Sequence, residues 1–243
     1  MSAVWHILEI VLVFFAGASI FSFVTVVSHR FPLGEDWVKA CSHCLACGHL
    51  LAARDLVPVF GWILLKGRCR YCHTRLSPRH PLAEAAGGAM AVFCIHWFGP
   101  GRQALVAYAF LSVLALIALT DLDTMQIPNA FVLAAGVVSL AAIPFFPSLH
   151  IPDRLLGICV VSVPMILINL LVPGGFGGGD CKLAAVCGLF LGWRMNLWGT
   201  AFAIFAAGCY CVVMLAAGKI HRRSRIPFGP FLCLGAAVAV FCL

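Results

Sequence analysis

The feature that most constrains this chain is a series of long apolar runs separated by short polar segments. Of its 243 residues, 63% are hydrophobic and only 10% are charged, whereas a soluble domain carries about 25% charged residues. A protein interior of this size cannot bury so much apolar surface, so a lipid bilayer must surround most of these runs. We therefore predict an all-α polytopic membrane protein.

The lengths of the apolar runs predict eight membrane-spanning helices, because a helix rises about 1.5 Å per residue and about 20 residues cross the hydrocarbon core. The predicted spans are Val4–Val27, Ala85–Phe98, Ala104–Thr120, Ala130–Pro147, Leu155–Val172, Leu183–Trp193, Leu197–Ala217 and Phe228–Leu243. The second and sixth runs are short, so we expect them to extend into their flanks or to lie where a water-filled cavity thins the membrane. The first run should be retained rather than cleaved as a signal, because Glu9 interrupts it and no basic residue precedes it.

The distribution of basic residues predicts which loops face the cytoplasm. With the N-terminus outside, thirteen of the sixteen Lys and Arg residues fall in the inside segments 28–84, 121–129, 173–182 and 218–227. This excess is the pattern expected of cytoplasmic loops. We therefore interpret the basic clusters as contacts of the protein with lipid head groups and predict no nucleic acid partner. The same topology places Asp121 and Asp180 at one face of the membrane, the cytoplasmic one.

These two aspartates are the candidate catalytic residues. Asp121 lies at the inner end of the third predicted span, and Asp180 opens the sixth. Ionisable groups at membrane depth are energetically costly and therefore indicate function. Two carboxylates that share one proton can hydrolyse a peptide, because one activates water while the other donates to the scissile carbonyl. From the residues alone, Asp123 could take the place of Asp121, and either aspartate could simply cap a helix.

A glycine-rich segment precedes Asp180. Five of the six residues from 174 to 179 are glycine. Because glycine permits positive φ and the close approach of another chain, we expect an extended substrate strand to lie against the backbone of Gly177, Gly178 and Gly179. The amides at the start of the following helix would also favour the carboxylate of Asp180.

The polar segment after the first span carries a metal-binding pattern. Cys44 and Cys47 form one Cys-x-x-Cys pair, and Cys69 and Cys72 form a second pair after 21 intervening residues. This spacing predicts a tetrahedral four-thiolate zinc site that folds an otherwise polar loop. Four thiolates leave no open coordination position, so the predicted zinc is structural. The sequence leaves open free thiols and four substitute ligands, namely Cys41, His43, His49 and His73.

Two motifs resemble those of a known protease family. Gly177–Asp180 fits the Gly-x-Gly-Asp signature of intramembrane aspartyl proteases. Asp121–Asn129 is similar to the Asp-x5-Ile-Pro-Asn motif of the type IV prepilin peptidase / N-methyltransferase family. The resemblance implies that Asp121 and Asp180 are the catalytic pair and assigns Asp123 no part in it.

Further segments extend this resemblance over nearly the whole chain. They are Ser22–Pro32, Arg54–Trp62, Lys66–Cys72, Ser77–Glu84 and Ile226–Leu232. Thr25 departs from the family pattern, where Asn is common, and the glycine usual before Ser22 is missing. In bifunctional members of the family a tetracysteine domain accompanies N-methylation of the new amino terminus. The resemblance therefore implies S-adenosylmethionine as a second cofactor beside zinc.

The resemblance implies three regions: a first span in residues 1–28, a cytoplasmic tetracysteine domain in 29–84, and a protease core of about seven spans in 85–243. The implied reaction is cleavage after Gly in type IV prepilins or type II secretion pseudopilins, at the cytoplasmic face of a bacterial inner membrane. Three other hypotheses are a Gly-x-Gly-Asp protease with other transmembrane substrates, an inert zinc-binding scaffold and an ion-coupled transporter. The tetracysteine loop argues against the first of these. A transporter would predict an inverted repeat, which is not apparent in the sequence.

Overall fold

The computed structural model describes residues 2–38, 42–44, 46–172, 175–219, 221 and 226–243. Its α-helices are α1 Ser2–Arg30, α2 Phe60–Leu64, α3 Arg79–Phe98, α4 Arg102–Thr124, α5 Asn129–Ala141, α6 Ile151–Leu171, α7 Gly178–Ala216 and α8 Gly229–Val240. Three 3₁₀ turns lie at Phe31–Leu33, Ala53–Asp55 and Ile143–Phe145. The described residues form isolated β-bridges but no strand. The predicted all-α class is therefore confirmed.

Most helices are longer than the apolar runs from which they were predicted, but α5 and α8 are shorter than the predicted runs Ala130–Pro147 and Phe228–Leu243. α3 begins at Arg79 rather than at Ala85, as expected for a short run that extends into its flank. Among the described residues, four helical segments are long and apolar enough to cross a membrane, namely Val4–Leu33, Arg102–Thr124, Ile151–Leu171 and Gly178–Ala216. The chain is thus a membrane protein by the length and composition of its helices, and eight crossings stay a prediction.

Residues 1–104 form one compact unit, in which α1 packs along α3. Small residues allow the two helices to approach closely: a Cβ atom at Gly17 would lie 2.6 Å from the Cβ of Ala91. The polar loop between these helices is anchored to α3, because the backbone N–H of Val59 donates to Oε2 of Glu84 at 2.7 Å. This unit therefore combines a helix pair with the cysteine-containing loop.

Residues 105–243 form a second compact unit, in which α5, α6 and α8 pack on α7. Phe110 of α4 stacks on Phe190 of α7, with ring centroids 4.0 Å apart. Glycines line the closest contacts, where Gly157 meets Gly188 and Gly199 meets Gly235. α7 is therefore the central helix of this unit, and Asp180 lies at its N-terminal end.

α7 contains a break at Gly192, whose φ of 73° and ψ of 174° are accessible to glycine alone. The buried guanidinium of Arg154 donates from Nη1 to the carbonyls of Leu189 at 2.9 Å and Phe190 at 3.3 Å. It thus satisfies carbonyl groups that lose their helical partners at the break. The break separates two helical segments, which correspond to the predicted sixth and seventh spans. It lies at Gly192, whereas the prediction left residues 194–196 between those spans, and these residues are helical.

Candidate active site

Asp121 lies in the last turn of α4 and is only 5% exposed. Its Oδ2 accepts a hydrogen bond of 3.1 Å from the backbone N–H of Gly229, the first residue of α8. A Cβ atom at Gly229 would lie 2.6 Å from the same oxygen. A residue without a side chain is therefore needed for the start of α8 to approach this carboxylate.

Asp180 is the third residue of α7 and is 8% exposed. Its Oδ2 accepts a hydrogen bond of 3.2 Å from the backbone N–H of Gly177. Gly177 occupies the N-cap position, and Asp180 accepts from its amide at the third helical position, as in a capping box. Asp180 is therefore not the N-cap itself but contributes to capping this helix. Each aspartate is therefore held in the same way, by a glycine amide at the start of a helix, where the helix dipole favours a negative charge.

Ile127, in the loop after α4, lies between the glycines that adjoin the two aspartates. A Cβ atom at Gly179 would lie 2.8 Å from the Cβ of Ile127, and one at Gly229 would lie 3.2 Å from its Cδ1. The fold therefore brings Asp121 and Asp180 to one place within the second unit.

The structure separates Asp121 from Asp123, which sequence reasoning without the resemblance could not do. Asp123 is exposed, whereas Asp121 is buried beside the start of α8. Helical geometry explains the difference, because residues two apart point to different sides of a helix. Asp121 is thus the one of the two that faces the site containing Asp180.

The glycine run acts through its lack of side chains. Among its described glycines, at 175, 177, 178 and 179, none has a positive φ. Gly177 and Gly179 are needed for space, because a Cβ atom would crowd Asp180 at the first and Ile127 at the second. A Cβ at Gly178 would meet no atom within 4 Å. Space for another chain is therefore present at Gly178, while the predicted use of positive φ does not apply to these glycines.

Sequence reasoning assigned no role to three residues that support the site. Asn169 of α6 accepts from the backbone N–H of Phe176 at 2.7 Å and donates to its carbonyl at 2.9 Å. The ring of Phe176 contacts that of Phe228, with centroids 5.8 Å apart. The motif Ile226–Leu232 marked the region of Phe228, but no signal marked Asn169, which is a lone polar residue in an apolar run.

The cysteine cluster lies in the first unit. The Sγ atoms of Cys44, Cys47, Cys69 and Cys72 lie within 4.8 Å of one another. The Sγ atoms of Cys44 and Cys72 are 3.8 Å apart, which is about the separation that a tetrahedral site with Zn–S bonds of about 2.3 Å requires. These four thiols could hold a metal ion, and the donor set is suited to zinc.

The two Cys-x-x-Cys turns have matching backbone geometry. The N–H of Gly48 donates to the carbonyl of Cys44 at 2.8 Å, and the N–H of His73 donates to that of Cys69 at 3.0 Å. Gly48 and His73 occupy equivalent positions and both have positive φ, 69° and 56°. His73 is therefore a turn residue, and the four-thiol cluster found among the described residues contains no histidine.

Hydrogen bonding also tunes one thiol of the cluster. The Sγ of Cys72 lies 3.3 Å from the hydroxyl of Thr74. This contact and a second one to the Thr74 backbone lower the pKa of Cys72 to about 6, which favours the thiolate form that binds metals. The predicted substitute ligand Cys41 lies outside the described residues.

Comparison with known proteins places both units in one family. Residues 15–98 match the bacterial peptidase A24 N-terminal domain, and residues 108–212 match the type IV leader peptidase family. A protein of Burkholderia pseudomallei (strain K96243), named prepilin leader peptidase/N-methyltransferase, is 31% identical over 93% of this chain and 82% of its own length. A protein with the same name from Bacillus subtilis (strain 168) is 28% identical over 94% of this chain and 92% of its own length.

No solved structure gives a significant match to the chain. The two family matches nevertheless span the cysteine loop and both aspartates of this chain. The chain therefore belongs to the type IV leader peptidase family, whose matching curated members are named prepilin leader peptidase/N-methyltransferase.

Proposed function

We propose that this chain is an aspartyl peptidase that removes the leader of type IV prepilins or type II secretion pseudopilins by cleavage after a glycine, with Asp121 and Asp180 as the catalytic pair. The observation that supports it most is that two buried carboxylates, each tethered through Oδ2 to a glycine amide, adjoin glycines that contact the same residue, Ile127. The names of the relatives support the class of substrate.

The chemistry follows from the proximity of two like charges in a poorly solvated site, where both carboxylates cannot be ionised together. The ionised member takes a proton from water, whose oxygen bonds to the scissile carbonyl carbon. The protonated member donates its proton to the carbonyl oxygen. Breaking the C–N bond then requires a proton on the leaving amine, which the dyad returns. The tethered Oδ2 atoms fix the orientation of both groups for these transfers.

The proposed place of this reaction is the cytoplasmic face of a bacterial inner membrane, with the N-terminus in the periplasm. Support comes from the excess of basic residues in the loops that this topology assigns to the inside. Both aspartates lie at helix ends rather than at mid-helix positions. A substrate with its leader in the cytoplasm and its apolar segment in the bilayer would present its cleavage site at this level.

The peptidase proposal is tested by single substitutions assayed on a prepilin reporter with the full chain in membranes. Asp121→Asn and Asp180→Asn should each lower cleavage by about 10³-fold, because each removes a proton-transfer group. Asp123→Asn is the matched control and should stay within a few-fold of wild type. Wild-type cleavage by either of the first two variants would refute the assignment of the pair.

We further propose that the chain methylates the new amino terminus with S-adenosylmethionine as donor. The support for this second activity is the name that both relatives carry. Mass spectrometry of the mature product decides it. A cleaved product that stays unmethylated in the presence of the donor would refute the second activity and leave the peptidase proposal unaffected.

We also propose that the four thiols of the cysteine cluster hold a structural zinc ion. The separation of the Sγ atoms of Cys44 and Cys72, which suits a tetrahedral zinc site, and the matched backbone turns support this proposal. Bound to four thiolates, zinc would have no open position for a substrate, and its contribution would be to the folding of the loop.

A further inference from the structure

The loop that carries the cysteine cluster also contains an uninterrupted apolar stretch, residues 56–65, named here the apolar segment. It contains no charged side chain, and charged residues flank it on both sides, Asp55 before it and Lys66 after it. A stretch of this length is too short to cross a bilayer as a helix, and it is typical either of a buried core helix or of a segment that enters one leaflet. The exposure of its side chains decides between these two cases.

The apolar segment is only partly covered by protein. At its centre lies α2, whose Trp62 faces the rest of the loop, because the indole Nε1 donates to the carbonyl of Leu76 at 3.4 Å. Residues three and four apart share one face of a helix, and the face formed by Phe60, Ile63 and Leu64 is exposed, with Leu64 exposed to 76%. An exposed apolar face of this kind marks a surface that contacts a partner or a membrane.

The apolar segment lies along the predicted membrane span α1 rather than beyond its end. The ring of Phe60 contacts that of Phe15, with centroids 5.5 Å apart. Phe15 lies near the middle of α1, about 22 Å along the helix axis from its last residue, Arg30. The polar contact between α1 and the start of α3, where Nδ1 of His80 lies 3.2 Å from Oγ1 of Thr25, is closer to that end of α1. The segment therefore extends past the polar helix ends toward the apolar middle of α1.

The backbone of the apolar segment has the pairing that a lipid environment requires, since lipid offers no hydrogen bonds to exposed amides. The N–H of Val59 donates to Oε2 of Glu84, the sixth residue of α3, at 2.7 Å. The N–H groups of Phe60, Gly61 and Ile63 donate to carbonyls within the segment at 2.6, 2.8 and 3.2 Å. Val59 has a φ of 64°, which β-branched residues rarely adopt, so the bond to Glu84 stabilises a strained turn. The segment is thus held against α3 with these amides satisfied.

Basic residues follow the apolar segment. Lys66 comes directly after it, and Arg68 is paired with Arg75 across an isolated antiparallel bridge. All three side chains are exposed. Like charges placed opposite each other on neighbouring strands destabilise the pairing, and the anionic head groups of a membrane would offset their repulsion. Apolar side chains followed by cations are the arrangement expected of a segment at a membrane surface.

We propose that the apolar segment enters the cytoplasmic leaflet of the membrane beside α1, with Phe60, Ile63 and Leu64 against the acyl chains and the following basic residues among the head groups. Residues 29–84 are then not wholly cytoplasmic, and the cysteine cluster is held at the membrane surface. The choice of leaflet rests on the proposed topology. The inference does not depend on the peptidase chemistry, because all of its residues belong to the first compact unit.

The test replaces Leu64 by the photoreactive residue p-benzoylphenylalanine in the full chain and irradiates it in bacterial membranes. Mass spectrometry of the peptide that contains residue 64 should show covalent phospholipid adducts. Leu50 is the matched control, because it is an exposed leucine of the same loop that lies in the first Cys-x-x-Cys turn. Lipid adducts at residue 50 should be at least tenfold less abundant.

The same replacement at Ile63 gives a second position in case the first variant fails to accumulate, and it should also yield lipid adducts. Crosslinks from residues 63 and 64 to a second copy of the chain or to another part of it, in place of lipid, would show that protein covers this face and would overturn the inference. An absence of lipid adducts at both positions would do so as well, as would equal abundance at residues 50 and 64.

Discussion

The cysteine cluster and the aspartate site differ in how far along the chain their parts come from. All four thiols lie in one loop, and each Cys-x-x-Cys pair forms its own hydrogen-bonded turn. The aspartate site instead combines the end of α4, the following loop and the starts of α7 and α8. A local site can be inferred from spacing alone, whereas a site made of distant segments depends on packing that spacing does not encode.

The largest expected effect tests the cysteine cluster, which is the local site. Cys69→Ser removes a thiol that is 1% exposed, and zinc bound to small cysteine sites contributes on the order of 10 kcal/mol to folding. Metal content measured on the purified protein should fall from about one zinc per chain to nearly none, and the loop should become sensitive to proteolysis. Cys94→Ser is the control, because Cys94 is equally buried but lies in α3 outside the cluster.

Two further results would change the interpretation of the cysteine cluster. Zinc content near zero in the wild-type protein would contradict a metal site. Loss of zinc in Cys41→Ser would show that the ligand set extends beyond the four clustered thiols, whereas unchanged zinc is expected.

The next largest effect tests the aspartate site, which is assembled from distant segments, at its closest contact. Gly229→Ala would place a Cβ atom 2.6 Å from Oδ2 of Asp121, so the carboxylate or α8 must move. A displacement of about 1 Å at a catalytic group costs on the order of 10²-fold in rate, and we expect cleavage of a prepilin reporter to fall by about that factor. Gly208→Ala, where a Cβ meets no atom within 4 Å, should cleave normally. Equal rates for the two variants would show that the approach of α8 does not set the site.

The sequence predicted the helical class, the approximate positions of the long helices and the four clustered cysteines, because each depends on composition or on short spacing. It did not separate Asp121 from Asp123 without the family resemblance, since burial of a helix end depends on what packs there. It also placed the interruption between the predicted sixth and seventh spans at residues 194–196. The break occurs at Gly192 instead, because backbone freedom and the carbonyl contacts of Arg154 locate it. Contacts between distant segments account for the burial of Asp121, and at the break they act together with the local backbone freedom of glycine.

A third prediction concerns the far end of the helix segment that carries Asp180. Arg154→Met removes the guanidinium that binds the carbonyls of Leu189 and Phe190, and a buried group left without its partner costs about 1–3 kcal/mol. The free energy of unfolding in detergent should fall by that amount. Arg194→Met is the control beside the same break, since Arg194 is exposed and lies over the ring of Trp193. Equal stability of both variants would mean that Arg154 does not stabilise the break.

The smallest expected effect tests whether Asn169, which belongs to no sequence motif, supports the aspartate site. Asn169→Ala removes both hydrogen bonds to the backbone of Phe176, which loosens the segment that leads to Gly177 and hence to Asp180. About 1.4 kcal/mol of lost positioning corresponds to a tenfold lower kcat/KM on a prepilin reporter. Asn169→Asp retains the acceptor for the Phe176 N–H but loses the donor to its carbonyl, so it should fall between alanine and wild type. If both variants cleave at the wild-type rate, the glycine segment is positioned by its own packing and not by Asn169. The contact of α8 with Asp121 would then be the remaining evidence that the aspartate site depends on packing between distant segments.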